Sequence, residues 1–301
     1  MNPHGLVTEM IYAAAYTDAS PLGRPLFCPA RNTHKIGQAE LKAFTDAHYK
    51  ANRMVLAGAG VEHAELVDMA KKHFGGAKPG AGGAPEKRFT PKYVGGDERL
   101  RGDADMTQVV LCFESGGWLS PNLLPICVLH MMLGGGSSFS PGGPGKGMYS
   151  RLYTNLLNKH HWIDSATAFN SMHNDTGLIG IYGTAAPRDV STLVDVMAAE
   201  LLDVAKRAPT AEETTRAKNQ LKSTVFMNLE SAPVLTEDLG RQMLVFGKRE
   251  DPVELCKRID AVTPEAVHKA AKQALSTPVS VAAFGDVSNL PSLQEIARRF
   301  Q

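Results

Sequence analysis

The sequence predicts an α+β fold built on a duplicated unit, and three observations carry that prediction. Candidate strands come in hairpin-like pairs with helices clustered around them, not in strict alternation, which argues against a doubly wound parallel sheet. Residues 38–74, "QAELKAFTDAHYKANRMVLAGAGVEHAELVDMAKKHF", lie without gaps on residues 264–300, "PEAVHKAAKQALSTPVSVAAFGDVSNLPSLQEIARRF". Both read helix, short apolar strand, turn near a glycine, and helix ending in phenylalanine (Phe74, Phe300), with Val55/Val281, Ala57/Ala283 and Val61/Val287 identical. A length of 301 residues, 43% of them hydrophobic, suits two domains at roughly 150 residues each.

Element by element, the C-terminal third is the most clearly punctuated. Pro187 opens a helix with Val190, Leu193, Val194, Met197, Leu201 and Leu202 on one face. Thr210-x-x-Glu213 is a capping-box pattern leading into residues 211–230, and a helix from Pro233 to Phe246 is placed to stop at Gly247. Asp251-Pro252 and Thr263-Pro264 each set a capping residue before proline at the first helical position. Residues 278–284 read as a buried strand and 290–300 as a closing helix. Further upstream, 106–115 reads as a strand, and 120–133 as an apolar helix capped by Ser120 with Pro121 in its first turn. Residues 148–161 read as a helix, and 162–185 as two strands around the turn His173–Gly177.

These elements divide into three parts: 1–76 as the C-terminal part of a first domain, 77–104 as a linker, and 105–301 as a second domain. The stretch "FGGAKPGAGGAPEKRF" (74–89) has a flexible-linker composition. The second copy has a long body before its closing unit where the first has 37 residues, so the chain is expected to begin inside its first domain. The alternative is a small independent αβ module at 1–75. The N-terminus has no basic leader and carries Glu9, so it is neither a signal nor a transit peptide.

Composition excludes several classes of function. A net charge of +1 gives no electrostatic case for nucleic acid. No apolar run approaches the ~20 residues that span a bilayer. Cys28, Cys112, Cys127 and Cys256 form no C-x-x-C pair and read as reduced thiols, not as a disulfide framework or zinc cage.

The unusual stretch is 134–147, where seven of fourteen residues are glycine and two are proline. It is not a P-loop: the earlier glycine slot is Ser140, and Gly147 replaces the Ser/Thr after Lys146. His160, His161, His173 and Asp175 are the nearest thing to a metal set, yet the sequence contains no H-x-x-E-H, H-E-x-x-H or helical i, i+4 histidine pair. A G-x-S-x-G nucleophile motif is absent as well. Long segments of this composition inside compact domains tend to be binding loops, and glycine allows close approach to an extended ligand backbone. The competing reading is a passive connector whose first glycines end a helix.

"LGGGSSFSPGGPGKGMYSRLYTNLLNKHHW", "RMVLAGAGVEHAELVDMAKKHF", "NDTGLIGIYGTAAPR" and "MNLESAPVLTEDLGRQML" resemble stretches of the alpha subunits of mitochondrial processing peptidases, within the pitrilysin-type, inverted-motif zinc peptidases. The resemblance covers nearly the whole chain. It implies duplicated α+β domains, each a mostly antiparallel sheet packed with helices, with the first domain incomplete here. It also implies a chain without catalytic residues, metal ligands or cofactor of its own, the zinc residing in a partner beta subunit. Its glycine-rich loop would bind the presequences of imported precursors through Gly134, Gly135, Gly136, Ser137, Ser138, Phe139, Ser140, Pro141, Gly142, Gly143, Pro144, Gly145, Lys146, Gly147 and Met148. Ser138 and Pro141 stand where smaller residues are more usual. A matrix location follows from the same resemblance. The alternative it carries is a structural core subunit of the respiratory cytochrome bc complex at the inner membrane, a role that one polypeptide combines with processing in some lineages.

Overall fold

The computed structural model describes residues 3–17, 20–77, 79–80, 89–138 and 148–301. In chain order the elements are α1 (Pro3–Tyr16), α2 (Ala30–Thr33), α3 (Gln38–His48), α4 (His63–Phe74), β1 (Gly96–Arg101), β2 (Thr107–Ser115), α5 (Leu123–Leu133) and β3 (Gly135–Ser137). A π-helical turn (Leu152–Leu157) follows, then β4 (Ile163–Met172), β5 (Gly177–Ala185), α6 (Val190–Lys206) and α7 (Ala211–Glu230). The chain closes with α8 (Ala232–Phe246), α9 (Pro252–Asp260), α10 (Pro264–Leu275), β6 (Ser280–Gly285) and α11 (Leu293–Arg298). This is the expected α+β class. Among the described residues the strands form one sheet in the order β1-β6-β2-β5-β4-β3, with β1 parallel to β6 and every other pair antiparallel.

Both faces of the sheet are covered, and β2 shows how. Val109, Leu111 and Phe113 point into a core shared with α5, α6 and α10, while Val110 and Cys112 point into a second cluster with Val7, Ile11, Ala15 and Tyr16 of α1. Side chains alternate along a strand, so a strand covered on both faces must be apolar throughout. That is why residues 107–113 carry no charge. On one face α6 buries Val190, Leu193, Val194, Met197 and Leu201, the stripe read from the sequence. Each such side chain contributes roughly 1.5–3 kcal/mol relative to exposure.

The punctuation falls largely where the residues placed it. Thr263 Oγ1 accepts the Ala266 N–H at 3.2 Å, Asp251 Oδ1 accepts the Val253 N–H at 2.6 Å, and α8 stops at Gly247. Two details differ. The helix expected from Ser120 begins at Leu123, because Ser120 Oγ instead accepts the Asn122 N–H at 3.1 Å in a turn. The helix expected over 148–161 is a π-helical turn, its wider register marked by the bond from Asn158 N–H to the Tyr153 carbonyl at 2.9 Å.

The chain separates into two compact units that differ from the 1–76, 77–104 and 105–301 division. One comprises Met1–Leu26, Phe89–Lys222 and Cys256–Gln301; the other comprises Phe27–Arg88 and Ser223–Leu255. Helix α1 packs on β1, β2 and β6 instead of belonging with 27–76, drawn there by its apolar face and by Tyr16, whose hydroxyl meets Thr176 Oγ1 at 2.9 Å. Strand β1 lies inside the stretch read as linker. Its sequence, "GDERLR", hides a strand because an edge strand turns charges to water.

In the second unit, α3 and α4 form as the internal repeat predicts, but residues 54–58 make no strand. A strand needs a neighbour for its N–H and C=O groups. Its counterpart β6 sits between β1 and β2. The apolar residues that the repeat places opposite buried positions of α10 and β6 are exposed in this structure: Leu41, Val55 and Leu56 by 60%, 40% and 53%.

Candidate functional site

The glycine-rich stretch leaves from the edge of the sheet. Helix α5 ends at Gly134, whose N–H donates to the His130 carbonyl at 2.9 Å and whose φ of +58° turns the chain out of the helix. Gly135 follows with φ +105°, and a Cβ there would lie 2.0 Å from the Ala166 carbonyl oxygen. Only glycine fits both the conformation and the space. Gly135, Gly136 and Ser137 then pair antiparallel with Thr167, Ala166 and Ser165 as β3. Ser138 closes this first stem with two bonds, its N–H to the Asp164 carbonyl at 2.9 Å and its hydroxyl to the Ile163 carbonyl at 2.5 Å. The connector reading credited the leading glycines with ending a helix. They also build a strand, a role hidden in the sequence because glycine carries no strand propensity.

Phe139, Ser140, Pro141, Gly142, Gly143, Pro144, Gly145, Lys146 and Gly147 lie outside the described residues. The chain re-enters at Met148, which is 45% exposed, and at Tyr149, which is 76% exposed. Ser150 is buried, and its hydroxyl accepts the Gly135 N–H at 3.2 Å. The two stems are thereby joined at their base.

Arg151 anchors the return stem. Its guanidinium donates from Nε and Nη2 to the two carboxylate oxygens of Glu213 at 2.5 and 3.1 Å, and from Nη1 to Asp203 Oδ2 at 2.9 Å. Glu200 Oε1 lies 3.6 Å from Nη1, while Asn155 Nδ2 donates to Glu200 Oε2 at 3.0 Å. Burial raises the carboxyl pKa of Glu200 above its usual range, against the lowering effects of Asn155 and Arg151. Glu213 was read as half of a capping box. Its N–H does bond to Thr210 Oγ1 at 3.1 Å, but its carboxylate goes to Arg151. Sequence reading missed Tyr149, Ser150 and Arg151. The signal available was a single arginine inside an otherwise uncharged run, "MYSRLYTNLL".

The histidines do not converge. His173 Nε2 meets the Tyr12 hydroxyl at 3.0 Å, His130 Nε2 meets the Ala168 carbonyl at 3.1 Å, and His160 lies against Trp162. Among the described residues no three of His, Cys, Asp and Glu are grouped so as to hold a metal ion. A cavity of about 200 Å³ opens at the start of α5, the end opposite the glycine-rich stretch, beside Glu114, Ser120, Asn122, Asp175, Gln273 and Thr277. It includes Asp175 of the histidine–aspartate set but none of residues 134–148. No helix among the described residues is long and apolar enough to cross a membrane.

A sheet edge that launches a glycine-rich stretch, with its return stem locked to two helices, is here part of a peptidase-like domain without a metal-binding motif. The family model described as the Peptidase M16 inactive domain matches residues 35–221, and the chain belongs to that family. Over 98% of its length it is 42% identical to the human mitochondrial-processing peptidase subunit alpha, and over its whole length 40% identical to the potato (Solanum tuberosum) subunit alpha. It spans 58% and 59% of those two chains, respectively. Among solved structures it resembles a chain of Complex III2 from Candida albicans, with TM-score 0.85 and 18% identity over 99% of this chain and 70% of that one. That likeness is one of fold.

Proposed function

We propose that the chain is a non-catalytic, substrate-recognising subunit of a mitochondrial processing peptidase, binding the presequences of precursor proteins in the mitochondrial matrix for cleavage by a zinc-bearing beta subunit. The observation that carries this reading is the glycine-rich stretch itself, set on the sheet edge with both stems fastened, in a chain 42% identical to a named alpha subunit. Presequences are basic and acidic-poor, whereas residues 134–148 contain one charge, Lys146. Attraction for the presequence then comes from carboxylates elsewhere, mostly on the partner, and the stretch supplies backbone and apolar contacts. No zinc is required of this chain.

The test is reconstitution with a beta subunit. The pair should bind and cleave a presequence peptide; this chain by itself should cleave nothing and retain no stoichiometric zinc after chelator washing. Tight one-to-one zinc with peptidase activity in the isolated chain would refute the reading. A second reading, a core subunit of the respiratory cytochrome bc complex, draws on the fold shared with the Candida albicans chain. Co-purification with haem-bearing membrane subunits would favour it.

A further inference from the structure

The residues that return the glycine-rich stretch to the domain are tied down more firmly than a connector requires. One guanidinium is divided among Glu213 of α7 and Asp203 and Glu200 of α6, at 2.5 to 3.6 Å, with Arg151 only 11% and Glu200 only 6% exposed. A buried ion cluster is poor evidence for stability, since desolvation offsets much of the attraction. What a planar guanidinium supplies is direction: its fork donates to a carboxylate in one orientation. The residue before it, Ser150, holds the outgoing stem through the Gly135 N–H. Immediately before that stand Met148 and Tyr149, two large apolar side chains left in water at 45% and 76% exposure, with the Arg216 guanidinium 5.9 Å from the Tyr149 ring centre.

We propose that Arg151 is a positioning residue for peptide binding: by pinning the return stem to α6 and α7, it fixes where Met148 and Tyr149 meet an extended basic peptide, with Tyr149 as the contact side chain. The inference rests on the presequence-binding reading above. Tyr149 suits the role because a rigid aromatic ring offers much contact area for little lost conformational freedom, and because an aromatic face attracts the cationic side chains that a basic peptide carries.

The experiment uses the reconstituted two-subunit complex and a fluorescent basic presequence peptide, with assembly checked by size-exclusion chromatography and thermal unfolding. Arg151→Met should weaken peptide binding on the order of tenfold, the scale of losing a positioned aromatic contact at Tyr149, raising KM while kcat in the assembled fraction stays unchanged. Arg151→Lys should fall between the two, because one ammonium cannot replace the fork. The exchanged pair Arg151→Glu with Glu213→Arg should recover part of the loss. Tyr149→Ala should weaken binding with no change in Tm, and it decides the matter should Arg151→Met fail to assemble. Wild-type affinity in Tyr149→Ala, or in an assembled Arg151→Met, overturns the proposal. Absence of peptide binding by the wild-type complex instead refutes the presequence-binding reading on which the proposal rests.

Discussion

Ser150 Oγ accepts the Gly135 N–H at 3.2 Å, so residues fifteen apart in sequence close the base of the glycine-rich stretch. The same Ser150 side chain fills the space beside Gly134, where an added Cβ would lie 2.4 Å from it. The base is therefore a packed piece of the domain.

Gly135→Val should destabilise the protein by roughly 1–3 kcal/mol, the cost of a β-branched residue held at positive φ, with a further penalty from the clash with Ala166. Deleting 139–147 and joining the stems with a short glycine–serine linker should change stability little, because loop-closure entropy varies slowly with length. Presequence binding by the complex should nonetheless fall sharply. Urea unfolding midpoints and peptide titrations give both quantities. A deletion variant that binds normally would return 139–147 to the status of a connector.

Phe139→Ala should weaken presequence binding on the order of 1 kcal/mol through lost apolar contact. Lys146→Ala should leave it unchanged or slightly tighter, since a cation does not attract a basic peptide. Salt should weaken all three proteins by similar factors, because exposed charge pairs are screened. The informative result against this assignment is a large loss in Lys146→Ala beside a silent Phe139→Ala across a salt series.

Burial lowers the pKa of His130 and of His173 below the ordinary 6.5, with Asp175 opposing the shift at His173. The unfolded chain therefore takes up these protons before the folded one does. The stability contributed by the two neutral rings is complete above about 6.5. It is lost as pH falls from there through the folded-state values. Chemical denaturation at pH 7, 6 and 5 should show this decline, and His130→Gln should flatten it. An unchanged slope in that variant would mean carboxylate titration governs the window.

Thiol labelling should distinguish the cysteines. Cys28 is exposed, whereas Cys112 is fully buried and its thiol pKa is pushed well above the usual range by that burial. Burial likewise pushes Cys127 up to about 11. A thiolate-directed reagent should modify Cys28 in the native protein and reach Cys112 only with unfolding, since the thiolate is the reacting form. Mass mapping after a short exposure reads this directly; early modification of Cys112 would show that the α1 layer opens readily.

The local sequence by itself determined the α+β class, the hairpin 162–185, the amphipathic α6 stripe, and the stops and starts around Gly247, Pro252 and Pro264. Each of these depends on neighbouring residues: a side-chain period, a φ angle, or a cap reaching two or three residues along the chain. It also singled out 134–147 by composition. The tertiary structure decided the remainder. That 96–101 is a strand depends on β6, almost two hundred residues away, whereas 54–58 has no strand paired with it among the described residues and is not one. Placing α1 against the sheet required the apolar face of β2 and the hydroxyl of Thr176. Glu213 could be read as a helix cap from its own neighbourhood, but its carboxylate is committed to Arg151, sixty-two residues earlier. Strand pairing and buried charge pairing join groups that sequence distance separates, so no local pattern records them, and only folding brings the partners within reach.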